Sequence, residues 1–147
     1  MGACIVAGVL VGLVSTSQGP HKEPAGYVKV VMGAATITRG SVPMPARPGD
    51  AVYEDDGFRT GADGRLGITL KDDTRVSLGP NSEIGLSEFK FSPAEGQLGL
   101  VMKLLRGVAA FVSGRIVALR SDAMRIETPA TIVGVRGSHV VIRAEAP

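Results

Sequence analysis

RLGITLKDDTRVSLGPNSEIGLSEFKF, residues 65–91, holds three apolar runs separated by two turn signals. In RLGITL (65–70) and RVSL (75–78) apolar side chains alternate with small or polar ones, the period of a strand with one buried face. Asp72-Asp73 between them fits a hairpin turn, because Asp tolerates left-handed backbone. GPNS (79–82) marks a second turn. EIGLSEFKF (83–91) alternates through Ile84 and Leu86, then resumes at Phe89 and Phe91 after a change of phase.

The same pattern extends in both directions. YVKVVM (27–32) and ATIT (35–38) are strands. PMPARPGD (43–50) contains three prolines and reads as a loop, since Pro cannot serve a central strand. AVYEDDGFRT (51–60) is a short strand, an acidic turn and another strand. SPAEGQ (92–97) turns the chain again. LGLVMKLLRG (98–107) is ambiguous: Leu98, Val101, Met102 and Leu105 fit a helical stripe, while the short length and Gly99 suit a strand. VAAFVSG (108–114), RIVALR (115–120), MRIETP (124–129), TIVGV (131–135) and HVVIRA (139–144) read as further strands. The fold class expected is all-β, with many short antiparallel strands in a sandwich, barrel or solenoid-like stack after an N-terminal apolar segment. Gly is 20 of 147 residues without a collagen-like period, which suits many tight turns. No exact internal repeat supports a regular solenoid.

Composition narrows the function. Sixteen basic and 14 acidic residues nearly balance, and the basic ones are scattered without interleaved aromatics, so no nucleic-acid partner is expected. One Cys excludes a disulfide framework, and His21 and His139 have no metal-ligand spacing. His139 reads as a half-buried strand residue. Glu54, Asp55 and Asp56 lack the spacing of a calcium loop and read as a solvated acidic turn. GADG (61–64) lacks the Gly-Lys-Ser/Thr that completes a phosphate loop. No nucleophile, base and orienting group come together, so neither an enzyme nor a cofactor is expected.

Residues 1–19 contain no charge, and Ala3 to Val14 is apolar. That run has the length of a signal-peptide core and is short for a bilayer span. Ser15 and Ser17 place small residues for cleavage after Ser17. Residues 1–17 are therefore expected to be a signal peptide or an N-terminal anchor. An acylated Cys4 and a buried first element are the rival readings. QGPHKEPAG (18–26) follows as a linker, and residues 27–147 form the β domain. Export to the periplasm or beyond is expected, with membrane contact only through the N-terminal segment if it is uncleaved.

TPATIVGVRGSHVVIR (128–143) places Arg136 inside an otherwise apolar run. An unpaired buried guanidinium would cost several kcal/mol. Arg136 must then pair or reach the surface. It is expected to bind turn carbonyls or a carboxylate, with Asp50, Asp63 and Glu127 as candidates, and to lock the final hairpin; the alternative is recognition of a carboxylate or phosphate on a ligand. Arg59 is a similar case.

Two blocks of the sequence resemble the FecR domain family. The first is Arg59-Thr60-Gly61, Gly64, the strand to Leu70, the turn at 72–74 and Pro80-Asn81-Ser82. The second is Gly107-Val108-Ala109, Thr128-Pro129-Ala130 and Val135-Arg136-Gly137-Ser138. The resemblance runs from about Tyr27 to Ala144. Asp73 stands where Gly is usual and Ser138 where Thr is usual. The best-known members carry a cytoplasmic anti-sigma segment and a transmembrane helix, neither of which is read in this chain. The resemblance implies an exported, non-catalytic all-β module that works by contact. The strand-rich, site-poor sequence adds the expectation that an exposed edge strand binds another envelope protein, in a regulatory, scaffold or signal-transducing role. The alternative is a cell-wall or glycan-binding module, for which aromatic side chains are scarce.

Overall fold

The structure is a computed structural model that describes residues 2, 23–137 and 139–145. The expectations placed on Cys4, His21, Ser138 and, apart from Gly2, on residues 1–17 lie outside the described residues.

The chain is all-β. Among the described residues twelve strands form one curled sheet, a half-barrel around a single core. In order they are β1 (Gly26–Met32), β2 (Ala35–Arg39), β3 (Val42–Pro45), β4 (Ala51–Val52), β5 (Gly57–Thr60), β6 (Arg65–Leu70), β7 (Arg75–Leu78), β8 (Glu83–Ser92), β9 (Gln97–Val112), β10 (Met124–Glu127), β11 (Ile132–Gly134) and β12 (His139–Ala144). A short helix, α1 (Arg115–Leu119), lies between β9 and β10. The path runs β3-β2-β5-β8-β9-β7-β6-β1-β4, with β10, β11 and β12 added on and around β9. All pairings are antiparallel except β9 with β10.

Strand β9 organises the molecule. Its first half pairs with β8 and β10, and its second half pairs with β7 and β12. It bends at Gly107, whose φ of 88° is open to glycine and strained for other residues. Leu100, Met102 and Leu104 point inward while Leu105 is exposed, so the period of two prevails over the helical stripe in residues 98–107. Phe58 and Phe111 are fully buried among Leu, Ile and Val from both halves of the sheet. The phase change in residues 83–91 is a β-bulge between Leu86 and Glu88.

Two local expectations are corrected. Residues 43–45 belong to β3, an edge strand paired with β2 from Thr36↔Pro45 to Arg39↔Val42. An edge position tolerates the missing proline N–H groups. RIVALR is helical over Arg115–Leu119 rather than a strand. The backbone N–H groups of Arg115 and Ile116 donate to the Asp72 carbonyl (2.7 Å) and the Asp72 carboxylate (3.2 Å). Those acceptors satisfy first-turn donors that a helix cannot satisfy itself. Ile116 and Val117 are buried as a result.

Candidate functional site

The residues of the first signature converge on one lock, in which Thr60, Gly64 and Ser82 are buried. The Thr60 hydroxyl donates to the Gly79 carbonyl at 2.6 Å and accepts the Ser82 N–H at 3.0 Å. Gly61 accepts the Asn81 N–H at 3.0 Å and donates to the Ala34 carbonyl at 2.9 Å. A Cβ on Gly64 would run into the Ala34 carbonyl oxygen, which explains why glycine is needed there. Asn81 takes the left-handed turn at φ 52°. The Ser82 hydroxyl oxygen accepts the Val108 N–H at 2.9 Å. Arg59 lies outside this lock, exposed on β5, where it pairs with Glu83 at 3.2 Å. The lock fastens the 60–64 and 79–82 turns onto β9 at its bend, and its polar atoms are occupied by one another.

The second signature builds the route into the last strand. The Thr131 N–H donates to the Thr128 hydroxyl at 3.0 Å and the Thr128 N–H to the Thr131 carbonyl at 2.8 Å, closing the β10–β11 turn with Pro129 exposed at its tip. Val135 is buried, and its N–H donates to the Met124 carbonyl at 3.0 Å. Arg136 is a correction: it is exposed, and it pairs with none of Asp50, Asp63 and Glu127. The apolar run breaks between β11 and β12, so its guanidinium reaches solvent and needs no buried partner. Gly137 is exposed, and its carbonyl accepts the Ser113 hydroxyl at 2.8 Å. His139 opens β12 as an exposed residue rather than a half-buried one.

This loop delivers β12 to a free edge. Its six residues pair on one side with β9, from His139↔Val112 to Ala144↔Gly107, and on the other with no described strand. The other terminal strands are short or blunted: β3 carries Pro43 and Pro45, β4 has two residues and β11 has three. Residues 88–92 of β8 and 30–32 of β1 also pair with a described strand on one side only, over shorter stretches. HVVIRA contains no proline, and its register runs without a break. Val141 is 65% exposed at its centre, while Val140 and Ile142 pack against the core.

Two polar clusters escaped the reading of the sequence. Asp56 is not part of a solvated turn: it is buried, and its carboxylate accepts both Arg39 Nε (3.0 Å) and Arg39 Nη2 (2.9 Å) together with the Tyr53 N–H (2.9 Å). Arg39 also lies 4.4 Å from the Tyr53 ring centroid. Its pKa is raised chiefly by the hydrogen bond to Asp56, against the opposing effect of burial. Asp72 is likewise more than a turn residue. It is fully buried and accepts the Thr74 hydroxyl at 2.6 Å, in addition to tethering α1. A short polar side chain two residues from its partner was the available signal for Asp72. No signal near Asp56 points to Arg39, which is distant in sequence.

Among the described residues no group of three or more His, Cys, Asp or Glu side chains is placed to hold a metal ion. No helix among them is long and apolar enough to cross a membrane. Of the six aromatic residues, Tyr27 alone is exposed.

No curated protein and no solved structure matches the chain. The family model described as FecR protein matches residues 56–147, more than half of the chain. The match contains both signature blocks, the bent β9 and the free β12. Strands β1 to β4 precede it yet complete the same sheet through β1–β6 and β2–β5 pairing. With the family match resting on these residues, the chain belongs to the FecR family.

Proposed function

We propose that this chain is an exported, non-catalytic regulatory module of the cell envelope that works by contact, with β12 as the docking edge for an extended segment of an envelope protein. The observation that carries the reading is that β12 faces no described strand on one side along its whole length of six residues, while the other terminal strands are short or carry proline. Main-chain hydrogen bonds along such an edge supply affinity, and alternate side chains supply specificity. Membership of the FecR family supports a regulatory role. The apolar run at residues 3–14 supports export. The scarcity of exposed aromatic rings weighs against a glycan-binding platform.

A photo-crosslinking residue at Val141 tests the proposal in an envelope preparation. A discrete adduct at Val141, with none from the same probe at Val42 on β3, is expected. No adduct at Val141, or equal adducts at both positions, would remove the basis for the docking edge. The mass of the same preparation tests export: loss of residues 1–17 is expected.

A further inference from the structure

The two faces of the half-barrel treat charge differently. On the outer face around β5, β8, β10 and the first half of β9, opposite charges are interleaved. Glu83 pairs with Arg59 and Arg106, Glu127 pairs with Lys103 and Arg125, and Glu88 pairs with Lys90. The outer face formed by β1, β6, β7, the second half of β9 and β12 is unlike it. These segments contain no Asp or Glu at all. They carry Lys29, Arg65, Arg75 and Arg143, each exposed and none ion-paired with a described residue.

The strand register shows how these cations are set. One row across five strands reads Val30, Gly67, Ser77, Ala110, Val141. The next reads Tyr27, Thr69, Arg75, Val112, His139, and on the other side Met32 faces Arg65 while Val108 faces Arg143. The face is low over β6 and β7, where Gly67, Thr69 and Ser77 line a shallow trough of about 260 Å³ between Lys29 and Arg75. The bulge between Val28 and Val30 turns both Lys29 and Val30 outward. Val30, Met32 and Val141 are 51%, 57% and 65% exposed, and Tyr27 is 41% exposed. Five strands make this face about 19 Å wide.

We infer that this face adsorbs to an anionic phospholipid surface, with the cations meeting headgroups and Tyr27, Val30, Met32 and Val141 entering the interface. Exposed apolar groups interleaved with unpaired cations on a broad face suit interfacial binding, in which burial and attraction to anionic lipid add. An acidic protein would need a shape to fit the trough, whereas headgroups are mobile and conform to scattered cations. Three exposed carboxylates among the described residues border the face: Asp63 and Asp73 in the turns at either end of β6, and Glu145 just past the end of β12, all outside both rows. This contact is separate from any made by the N-terminal apolar segment, and it does not depend on the docking edge.

The test is sedimentation of the full chain with vesicles of phosphatidylcholine alone or mixed with phosphatidylglycerol. The ratio of anionic to neutral binding cancels any contribution of residues 3–14. The wild-type ratio is expected to exceed one and to fall as salt rises. Each basic side chain near such a surface contributes roughly a factor of five, so the triple variant K29A/R65A/R75A is expected to lose roughly 100-fold in that ratio. The triple variant K90A/K103A/R125A removes equal charge from the paired face and is expected to retain most of it. A wild-type ratio of one, or equal losses in both variants, would overturn the inference. Binding to soluble polyglutamate or heparin without vesicle binding would overturn it in favour of a soluble polyanion. Peroxide oxidation of the wild type removes any dependence on variant folding: anionic vesicles should protect Met32 and leave the rate at Met44 on β3 unchanged. Equal protection of the two, or of neither, would contradict the proposed face.

Discussion

The Ser82 hydroxyl oxygen accepts the Val108 N–H at 2.9 Å, directly across from the bend in β9. A Cβ on the neighbouring Gly107 would come within 2.5 Å of the Ser82 Cα, so the serine and the glycine are fitted to each other. Ser82→Ala leaves the Val108 N–H without that acceptor and is expected to cost about 2 kcal/mol. Gly107→Ala adds a backbone clash to a left-handed φ and is expected to cost about 3 kcal/mol or more. Urea unfolding of both variants checks the order.

Asp72 links the β6–β7 turn to α1. In Asp72→Asn one oxygen can still accept the Thr74 hydroxyl and the Ile116 N–H, but the amide NH2 then stands against the Thr74 N–H that Oδ1 had accepted, and the change is expected to cost about 1–2 kcal/mol. Hydrogen exchange should quicken at Ile116 before it quickens at Leu100, because the helix is tied down locally while Leu100 belongs to the central strand.

Arg39 and Asp56 act as a unit. Asp56→Ala is expected to destabilise by about 2 kcal/mol, and Arg39→Ala by at least as much, since it leaves the buried Asp56 carboxylate with only the Tyr53 N–H. A double-mutant cycle should show positive coupling. The raised Arg39 pKa means that its stabilising contribution is fully present below the unfolded-state value and is lost only in strongly alkaline solution. The coupling measured at pH 7 and at pH 9 should therefore agree.

Val135 and Arg136 are adjacent but unequal. Val135→Ala opens a buried site and is expected to cost about 1–3 kcal/mol, whereas Arg136→Ala lies on the surface and is expected to change stability by less than about 0.5 kcal/mol. Thermal unfolding of the two variants would separate a structural arginine from an exposed one.

Period-two alternation made β6, β7 and β8 legible in the sequence, and the break between Leu86 and Phe89 marked the bulge. The turn at Asp73 was legible for the same local reason, and its φ is 69°. Features that depend on distant partners were not. Residues 115–119 have the composition of a strand, and they become helical because Asp72 supplies acceptors from more than forty positions away. Arg136 looked buried because its flanking residues are apolar, but the chain leaves one strand and enters another there. The signature blocks were found as sequence, while their convergence on Ser82 and Val108 required the fold. The cationic face was hidden because Lys29, Arg65, Arg75 and Arg143 are brought together only by strand register.

The most direct measurement of the docking edge compares Val140→Pro with Val141→Pro. Successive N–H groups on a strand face opposite sides, so one variant removes a hydrogen bond to β9 and the other removes a donor from the free side. Thermal unfolding identifies which is which. The more stable of the two is predicted to lose the crosslink from a probe at Arg143 that the wild type forms with its envelope partner. Retention of that crosslink in the more stable variant would contradict the use of β12 as a docking edge.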